Sequence, residues 1–232
     1  MEIASHFYKL ISLKPDGSPD RFLGCCSPVG PDGGMLTCRH VVEACPDGAL
    51  GIYDNERACF VRIAQAPVIC RTPETDMAFL PNALGRPKPE FFPILTPRAL
   101  QIGEDVYSYG HFMIGGAQAE IEAGYFSGKI VNFFRSADPA RAMLTLPFTA
   151  IEGLSGSPVL TYHHGVKLVG LVTGNRASRI MAHEVMEFED DRVQLRETIN
   201  RIVEFGTAMH CAAIVEFLDT LPTAGHSVRE SE

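Results

Sequence analysis

The sequence has no tryptophan, no Cys-x-x-Cys motif and no cysteine and histidine spacing typical of a zinc site. Its 7 cysteines are an odd number, which favours reduced and mostly buried thiols over a disulfide framework. The amino terminus has no basic region followed by an apolar run, so no secretory signal is predicted. No segment reaches the roughly 18 apolar residues that cross a bilayer. These absences predict a cytoplasmic protein with no metal site and no membrane contact.

A basic stripe with interleaved aromatic residues is also missing, and the formal net charge is -8. Nucleic acid is therefore not expected as a partner. The chain has 232 residues, of which 46% are hydrophobic, so it can bury a large core. It contains 21 glycines and 16 prolines, and helical periodicity is missing from its first three quarters. This composition predicts an all-β fold of short strands joined by tight turns.

A proline-rich stretch near residues 83–100 predicts a connector between two halves of the chain, because proline at that density does not suit the interior of a sheet. Apolar residues at three- and four-residue steps in CAAIVEFLDTL predict a closing amphipathic helix. The predicted parts are a first half at about residues 1–85, a linker at 86–100, a second half with the helix at 101–222 and a flexible tail at 223–232.

Three residues suggest nucleophilic catalysis. Ser155 lies in the turn GLSGSP, where the neighbouring glycines permit backbone conformations that other residues avoid. A nucleophilic serine needs a histidine to take its proton and a carboxylate to orient that histidine. Among 8 histidines, only His40 is placed at a predicted strand end followed by apolar residues. Asp76 is embedded in TDMAFL, where an acid is costly to bury without a polar partner.

The blocks LTCRHVV, DMAFL and GLSGSPVL occur in this order, and together they resemble the signature blocks of the trypsin-like serine peptidases. The similarity is to the bacterial form of that family, seen in glutamyl endopeptidases and high-temperature-requirement proteases. The resemblance implies two six-stranded antiparallel β-barrels with the active site in the cleft between them and a C-terminal helix. Residues 1–222 would then form a single peptidase domain.

The resemblance also implies a role for each residue. Ser155 would be the nucleophile, His40 the general base and then acid, and Asp76 the carboxylate that orients His40. The backbone N–H groups of Gly153 and Ser155 would form the oxyanion hole. The expected reaction is hydrolysis of a polypeptide substrate through an acyl-enzyme, with no metal or organic cofactor.

Two positions depart from the family pattern. Leu154 stands where trypsin-type zymogens have an aspartate that pairs with a newly cut amino terminus, which predicts activity without trimming by that route. Val172 stands where the animal enzymes have a serine that hydrogen-bonds the triad carboxylate.

The resemblance also predicts which residues bind the substrate side chain next to the cut bond. They come from the segment before Ser155 and from GLVTG, and they are Thr149, Glu152, Val172, Thr173 and Gly174. GLVTG has no histidine where glutamyl endopeptidases have one, so glutamate specificity is not expected. Glu152 is expected to be exposed, and a small or apolar substrate side chain is favoured.

Two alternatives to a serine endopeptidase stay open at this point. A catalytically silent relative would use the same scaffold as a protein-binding module, and an esterase would use the same triad because acyl-enzyme chemistry is shared. Residues 176–200 are long for a loop before the final strand, and they suggest a surface for a regulatory protein partner.

Overall fold

A computed structural model describes residues 6–45, 48–72, 74–88, 90–115, 120–134, 142–163, 165–189 and 192–221. Within 179–189 and 192–201 it describes the backbone only. The predicted tail at 223–232 lies outside the described residues.

The first half folds into one antiparallel sheet with a short helix, α1 (Arg39–Glu43), after its third strand. The strands are β1 (Tyr8–Leu13), β2 (Pro19–Pro28), β3 (Met35–Thr37), β4 (Ala49–Asp54), β5 (Cys59–Arg62), β6 (Val68–Ile69) and β7 (Ala78–Leu80). Their spatial order is β5-β4-β1-β2-β3-β7-β6. The central strands β1 and β3 are almost wholly buried, and side chains of both strands lie in the larger hydrophobic core, which also contains residues of the second half such as Leu168.

The second half forms a second antiparallel sheet and ends in a helix, α2 (Cys211–Asp219). The strands are β8 (Asp105–Ile114), β9 (Glu120–Lys129), β10 (Asn132–Phe134), β11 (Met143–Leu146), β12 (Pro158–Thr161), β13 (Lys167–Glu189) and β14 (Arg192–His210). They are ordered β10-β11-β14-β13-β12-β8-β9. The predicted all-β class and the closing helix are confirmed.

Each sheet has seven strands, where the family resemblance implied six. At an edge of each sheet lies a very short strand, β6 with 2 residues and β10 with 3. Segments this short cannot show the alternation of apolar and polar residues by which a strand is recognised in sequence.

The stretch at residues 176–200, expected as a loop, belongs to a long two-stranded ribbon. β13 and β14 pair from Gly170 opposite His210 to Glu189 opposite Arg192. Residues 176–205 contain neither glycine nor proline, so they lack the residues that end strands. Pairing of the two strands satisfies the backbone N–H and C=O groups that face the partner strand, which a loop would leave to water.

The connector between the two sheets is anchored to β4 by charged side chains. Arg86 Nη2 lies 3.2 Å from both carboxylate oxygens of the fully buried Asp54. Arg86 also contacts Glu56 at 2.7 Å, and Lys88 Nζ lies 2.6 Å from the other oxygen of Glu56. Each buried charge thus has a partner, which offsets the cost of removing it from water.

Helix α2 packs its apolar face into the larger hydrophobic core. Ala213, Ile214 and Phe217 are buried there with residues of the first sheet such as Leu10. Burial of a side chain as large as Phe217 stabilises the fold by about 2 to 3 kcal/mol, so α2 helps to hold the two sheets together. No helix in the described part of the chain is long and apolar enough to cross a membrane.

Candidate active site

His40 and Asp76 meet through two hydrogen bonds. His40 lies in the first turn of α1, after the Cys38 N-cap, rather than at the strand end that the sequence predicted. The ring nitrogen Nδ1 of His40 lies 2.6 Å from Oδ2 of Asp76. The backbone N–H of His40 donates to Oδ1 of the same carboxylate at 3.0 Å. Asp76 therefore fixes both the ring and the start of the helix that carries it.

The carboxylate of Asp76 is kept ionised by these contacts. Its side chain is 31% exposed, and this burial alone would raise the pKa of Asp76. The hydrogen bonds from the His40 ring and backbone outweigh burial, with help from the charges of His40 and Arg39, and the pKa of Asp76 lies below its ordinary value. The ring of His40 is 49% exposed, so its other nitrogen, Nε2, is open to a reacting group.

The turn around Ser155 is built against a strand of the first sheet. Cys25 in β2 donates its backbone N–H to the carbonyl of Ser155 at 2.8 Å, and the hydroxyl of Thr37 donates to the carbonyl of Cys25 at 2.7 Å. Gly156 has a φ of +86° and packs so closely that a Cβ there would overlap the Cys25 carbonyl oxygen. The fold therefore requires glycine at position 156.

A single backbone carbonyl joins the two parts of the site. The oxygen of Val172 accepts from Gly156 N at 2.9 Å and from the thiol of Cys38 at 3.1 Å. Atoms of Cys38, His40 and Asp76 lie within 4.8 Å of one another. The structure thus brings the neighbours of Ser155 and the His40–Asp76 pair together around Val172.

The hydroxyl of Ser155 is turned toward β13. Its Oγ donates to the carbonyl of Thr173 at 3.4 Å, and among the described residues no hydrogen bond joins it to His40. Catalytic hydrogen bonds are often loose in enzymes without substrate, and rotation about one side-chain bond would redirect the hydroxyl.

Two peptide groups of the turn have fixed directions. The carbonyl of Glu152 accepts from Met113 N at 2.9 Å, and that of Leu154 accepts from Ser157 N at 3.0 Å. In a trans peptide the N–H points opposite to the C=O. The N–H groups of Gly153 and Ser155 therefore point in the directions opposite to the Glu152 and Leu154 carbonyls. Gly153 has a φ of +95°, which the turn requires.

Cys38 is a buried neighbour of this site. It is fully buried, and burial followed by the nearby charge of Asp76 raises the pKa of its thiol well above the ordinary value. Cysteine, histidine and aspartate are a donor set that suits zinc. In this structure, however, the Cys38 thiol donates to Val172, and His40 and Asp76 bond to each other.

The five residues predicted to bind the substrate side chain have different environments. Thr149 and Glu152 are exposed, Thr173 and Gly174 are half-buried, and Val172 is fully buried in the core of the second sheet. Only the backbone of Val172 can face the site. The hydroxyl of Thr173 lies 3.2 Å from the carbonyl of Thr207 in β14, so it is directed toward the neighbouring strand.

Asn175 was not among the sequence candidates, although its amide joins the two segments beside Ser155. Its Oδ1 accepts from the backbone N–H of Ala150 at 2.6 Å, and its Nδ2 donates to the carbonyl of Ala150 at 2.9 Å. An asparagine that follows a glycine is typical of a turn, so its position in the sequence does not indicate this contact.

The sequence comparisons agree with this geometry. The family model of the trypsin-like peptidase domain matches residues 24–171, a span that contains His40, Asp76 and Ser155. The chain belongs to the trypsin-like peptidase family. A search of curated proteins finds no match.

The fold of this trypsin-like peptidase resembles two solved proteases. It matches the HtrA-type protease AlgW with a decapeptide at a TM-score of 0.58 and 15% identity, over 94% of this chain and 63% of that chain. It also matches the apo MamO protease domain from Magnetospirillum magneticum at a TM-score of 0.56 and 15% identity, over 91% and 95% of the two chains. The chain thus spans less than two thirds of the AlgW chain, and at this identity the likeness concerns the fold.

Replacing Gly156 by alanine in this trypsin-like peptidase should destabilise it. The positive φ and the overlap with Cys25 together are expected to lower the free energy of unfolding by at least about 2 kcal/mol, and the melting temperature by about 5 °C. Thermal unfolding of the variant measures this. Gly30→Ala is the matched control, because Gly30 has no positive φ and a Cβ there meets nothing within 4 Å. Equal melting temperatures for the two variants would contradict the contact between the Ser155 turn and β2.

Proposed function

We propose that this protein is a serine endopeptidase that cleaves polypeptides through an acyl-enzyme on Ser155. The observation that carries the proposal is the double hydrogen bond between His40 and Asp76, at 2.6 and 3.0 Å, beside a Ser155 turn held against β2. A carboxylate that accepts from both the ring and the backbone of a histidine selects one ring tautomer. That tautomer leaves Nε2 of His40 free to accept a proton.

The proposed reaction begins when the Ser155 hydroxyl turns from the Thr173 carbonyl toward Nε2 of His40. As Oγ adds to the scissile carbonyl carbon, His40 takes the hydroxyl proton and Asp76 stabilises the resulting imidazolium. The carbon–nitrogen bond then breaks, and His40 gives its proton to the leaving amine. A water molecule repeats the sequence on the acyl-enzyme, which releases the acid and restores Ser155.

The proposed oxyanion hole consists of the N–H groups of Gly153 and Ser155. Its support is the anchoring of the Glu152 and Leu154 carbonyls by Met113 and Ser157, which fixes the direction of both N–H groups. Donors fixed before the reaction stabilise the developing negative charge without a reorganisation cost. One such donor typically contributes about 2.7 to 4 kcal/mol.

One observation favours a second candidate function. The hydroxyl of Ser155 bonds to Thr173 rather than to His40, and this arrangement would also suit a silent scaffold that binds a partner protein. An esterase is the third candidate, because the same acyl-enzyme would form from an ester. Comparing hydrolysis of an internally quenched peptide library with that of small nitrophenyl esters separates the peptidase from the esterase.

Labelling with a fluorophosphonate probe tests the assembled nucleophile and base. We expect the wild type to be labelled, with a mass increase on the full chain, and Ser155→Ala and His40→Ala to remain unlabelled. Labelling of the uncut chain also tests activity without amino-terminal trimming, which is expected because Leu154 is fully buried in an apolar cluster and offers no partner for an ammonium group. A folded wild type without labelling would support the silent scaffold.

Several further expectations belong to this proposal. The substrate is a polypeptide, and a small or apolar side chain next to the cut bond is favoured. A regulatory protein partner on the β13–β14 ribbon and a cytoplasmic location remain predictions. The seven cysteines are all free thiols, which is typical of a reducing compartment.

A further inference from the structure

We propose that Asn175 is a specificity-determining residue, whose amide bridges the pocket for the substrate side chain next to the cut bond and restricts it to small side chains. The proposal rests on the proposed peptidase function. It concerns the residue whose carbonyl Ser155 attacks.

The bridge joins two segments that both adjoin the nucleophile. Ala150 belongs to the segment that leads into the Ser155 turn, and Asn175 follows Thr173, whose carbonyl accepts the Ser155 hydroxyl. The amide of Asn175 reaches both backbone polar groups of Ala150, at 2.6 and 2.9 Å. A side chain that enters between these segments next to Ser155 therefore meets the Asn175 amide.

Strand β14 holds one of these segments in place. Gly206 lies opposite Asn175 in the β13–β14 pairing, and its N–H donates to the carbonyl of Phe148 at 2.7 Å. The hydroxyl of Thr149 is 3.5 Å from the carbonyl of Glu204 on the same strand. The segment at residues 148–150 thus contacts β14 through Phe148 and Thr149 and is tied to β13 by Asn175, so the two segments cannot separate freely.

A bridge of this kind discriminates between substrate side chains by their size. An aromatic ring needs about 7 Å between facing wall atoms, because each face requires a contact distance of about 3.5 Å. Two hydrogen bonds from one amide hold the Asn175 side chain and the Ala150 backbone far closer than that. A methyl group fits beside the bridge, whereas an aromatic ring must break both hydrogen bonds and displace the amide. Pocket contacts that differ by one or more methylene groups typically change selectivity 10- to 200-fold.

Peptidyl diphenyl phosphonates test the pocket without a natural substrate, because they react with an active serine and carry a chosen side chain next to the phosphorus. The measured quantity is the ratio of inactivation rate constants for an alanine-type probe and a phenylalanine-type probe. We expect the wild type to favour the alanine-type probe by at least tenfold, and Asn175→Ala to lower this ratio by at least tenfold.

Asn175→Asp separates the effect of the two hydrogen bonds from the effect of side-chain volume. Aspartate has almost the same volume and can accept from Ala150 N–H, but its second oxygen faces the Ala150 carbonyl and cannot donate to it. If the bridge sets the selectivity, the Asp variant shifts the ratio toward the Ala variant. Asn132→Ala, at an exposed asparagine on β10, is the control and should keep the wild-type ratio. Melting temperatures of all variants exclude general unfolding.

The outcomes separate this inference from the proposed function. A wild type that reacts with a simple fluorophosphonate but shows no preference for the alanine-type probe overturns the role of Asn175. The same holds if the ratio is unchanged in Asn175→Ala, or if the alanine-type probe does not react. A folded wild type that reacts with no phosphorus probe contradicts the proposed peptidase instead.

Discussion

Ser155→Ala is expected to lower turnover of a peptide substrate by about a millionfold, the loss typical of a serine peptidase without its nucleophile. Alanine removes the Oγ on which the proposed acyl-enzyme would form. The backbone of the turn should be unchanged, because Ser155 is held by a hydrogen bond from Cys25 to its carbonyl. The measurement is kcat on a quenched peptide selected from a library with the wild type.

The appropriate control is a serine away from the site. Ser127 is exposed on β9, and Ser127→Ala should retain the wild-type rate. The residual rate of Ser155→Ala should still exceed the rate of uncatalysed hydrolysis in water, since the backbone N–H groups of residues 153 and 155 remain. If Ser155→Ala and Ser127→Ala both hydrolyse the peptide at nearly the wild-type rate, the nucleophile has been assigned to the wrong residue.

Asp76→Asn is expected to lower kcat by about 10⁴ at neutral pH, the size of effect known for this change in a serine peptidase triad. An asparagine can present its NH₂ group to Nδ1 of His40, which then must accept rather than donate. The ring proton moves to Nε2, and His40 can no longer take the proton of Ser155. Steady-state kinetics of folded variant and wild type test this, with Glu43→Gln on α1 as the control acid-to-amide change.

The same substitution also changes how stability depends on pH. The pKa of Asp76 in the folded protein is lower than its ordinary value, so its stabilising contribution is complete above the ordinary pKa of aspartate, roughly 4. That contribution is lost as pH falls through the lowered pKa. The wild type should therefore exceed Asp76→Asn in urea midpoint at neutral pH, and this difference should shrink in acid. A difference that stays constant down to pH of about 2 would mean that Asp76 does not titrate as proposed.

Much of this protein could be predicted from short stretches of its sequence. The glycines around Ser155, the apolar setting of Asp76 and the block that contains His40 each have a local chemical meaning, and their order predicted a cleft between two halves. The structure brings all three into one region. The all-β class followed from composition, because frequent glycine and proline interrupt helices and mark turns.

Other features were inaccessible to sequence reasoning because they depend on contacts between distant residues. The start of α1 at Arg39 follows from the hydrogen bond between His40 N and Asp76, which are 36 residues apart. The expected loop at residues 176–200 became a ribbon because each strand supplied the other with backbone partners. The pairing strength of two such strands is not encoded in either of them alone.

The sequence by itself determined the family, the fold class and the candidate triad, since each rests on residue types at fixed local spacings. Tertiary structure alone decided how the site is held and shaped. The contact of Gly156 with Cys25, the position of Cys38 beside Asp76 and the bridge from Asn175 to Ala150 all join segments far apart in the chain. Such contacts arise only when the two sheets pack, because packing and not local propensity sets which distant groups come within hydrogen-bonding distance.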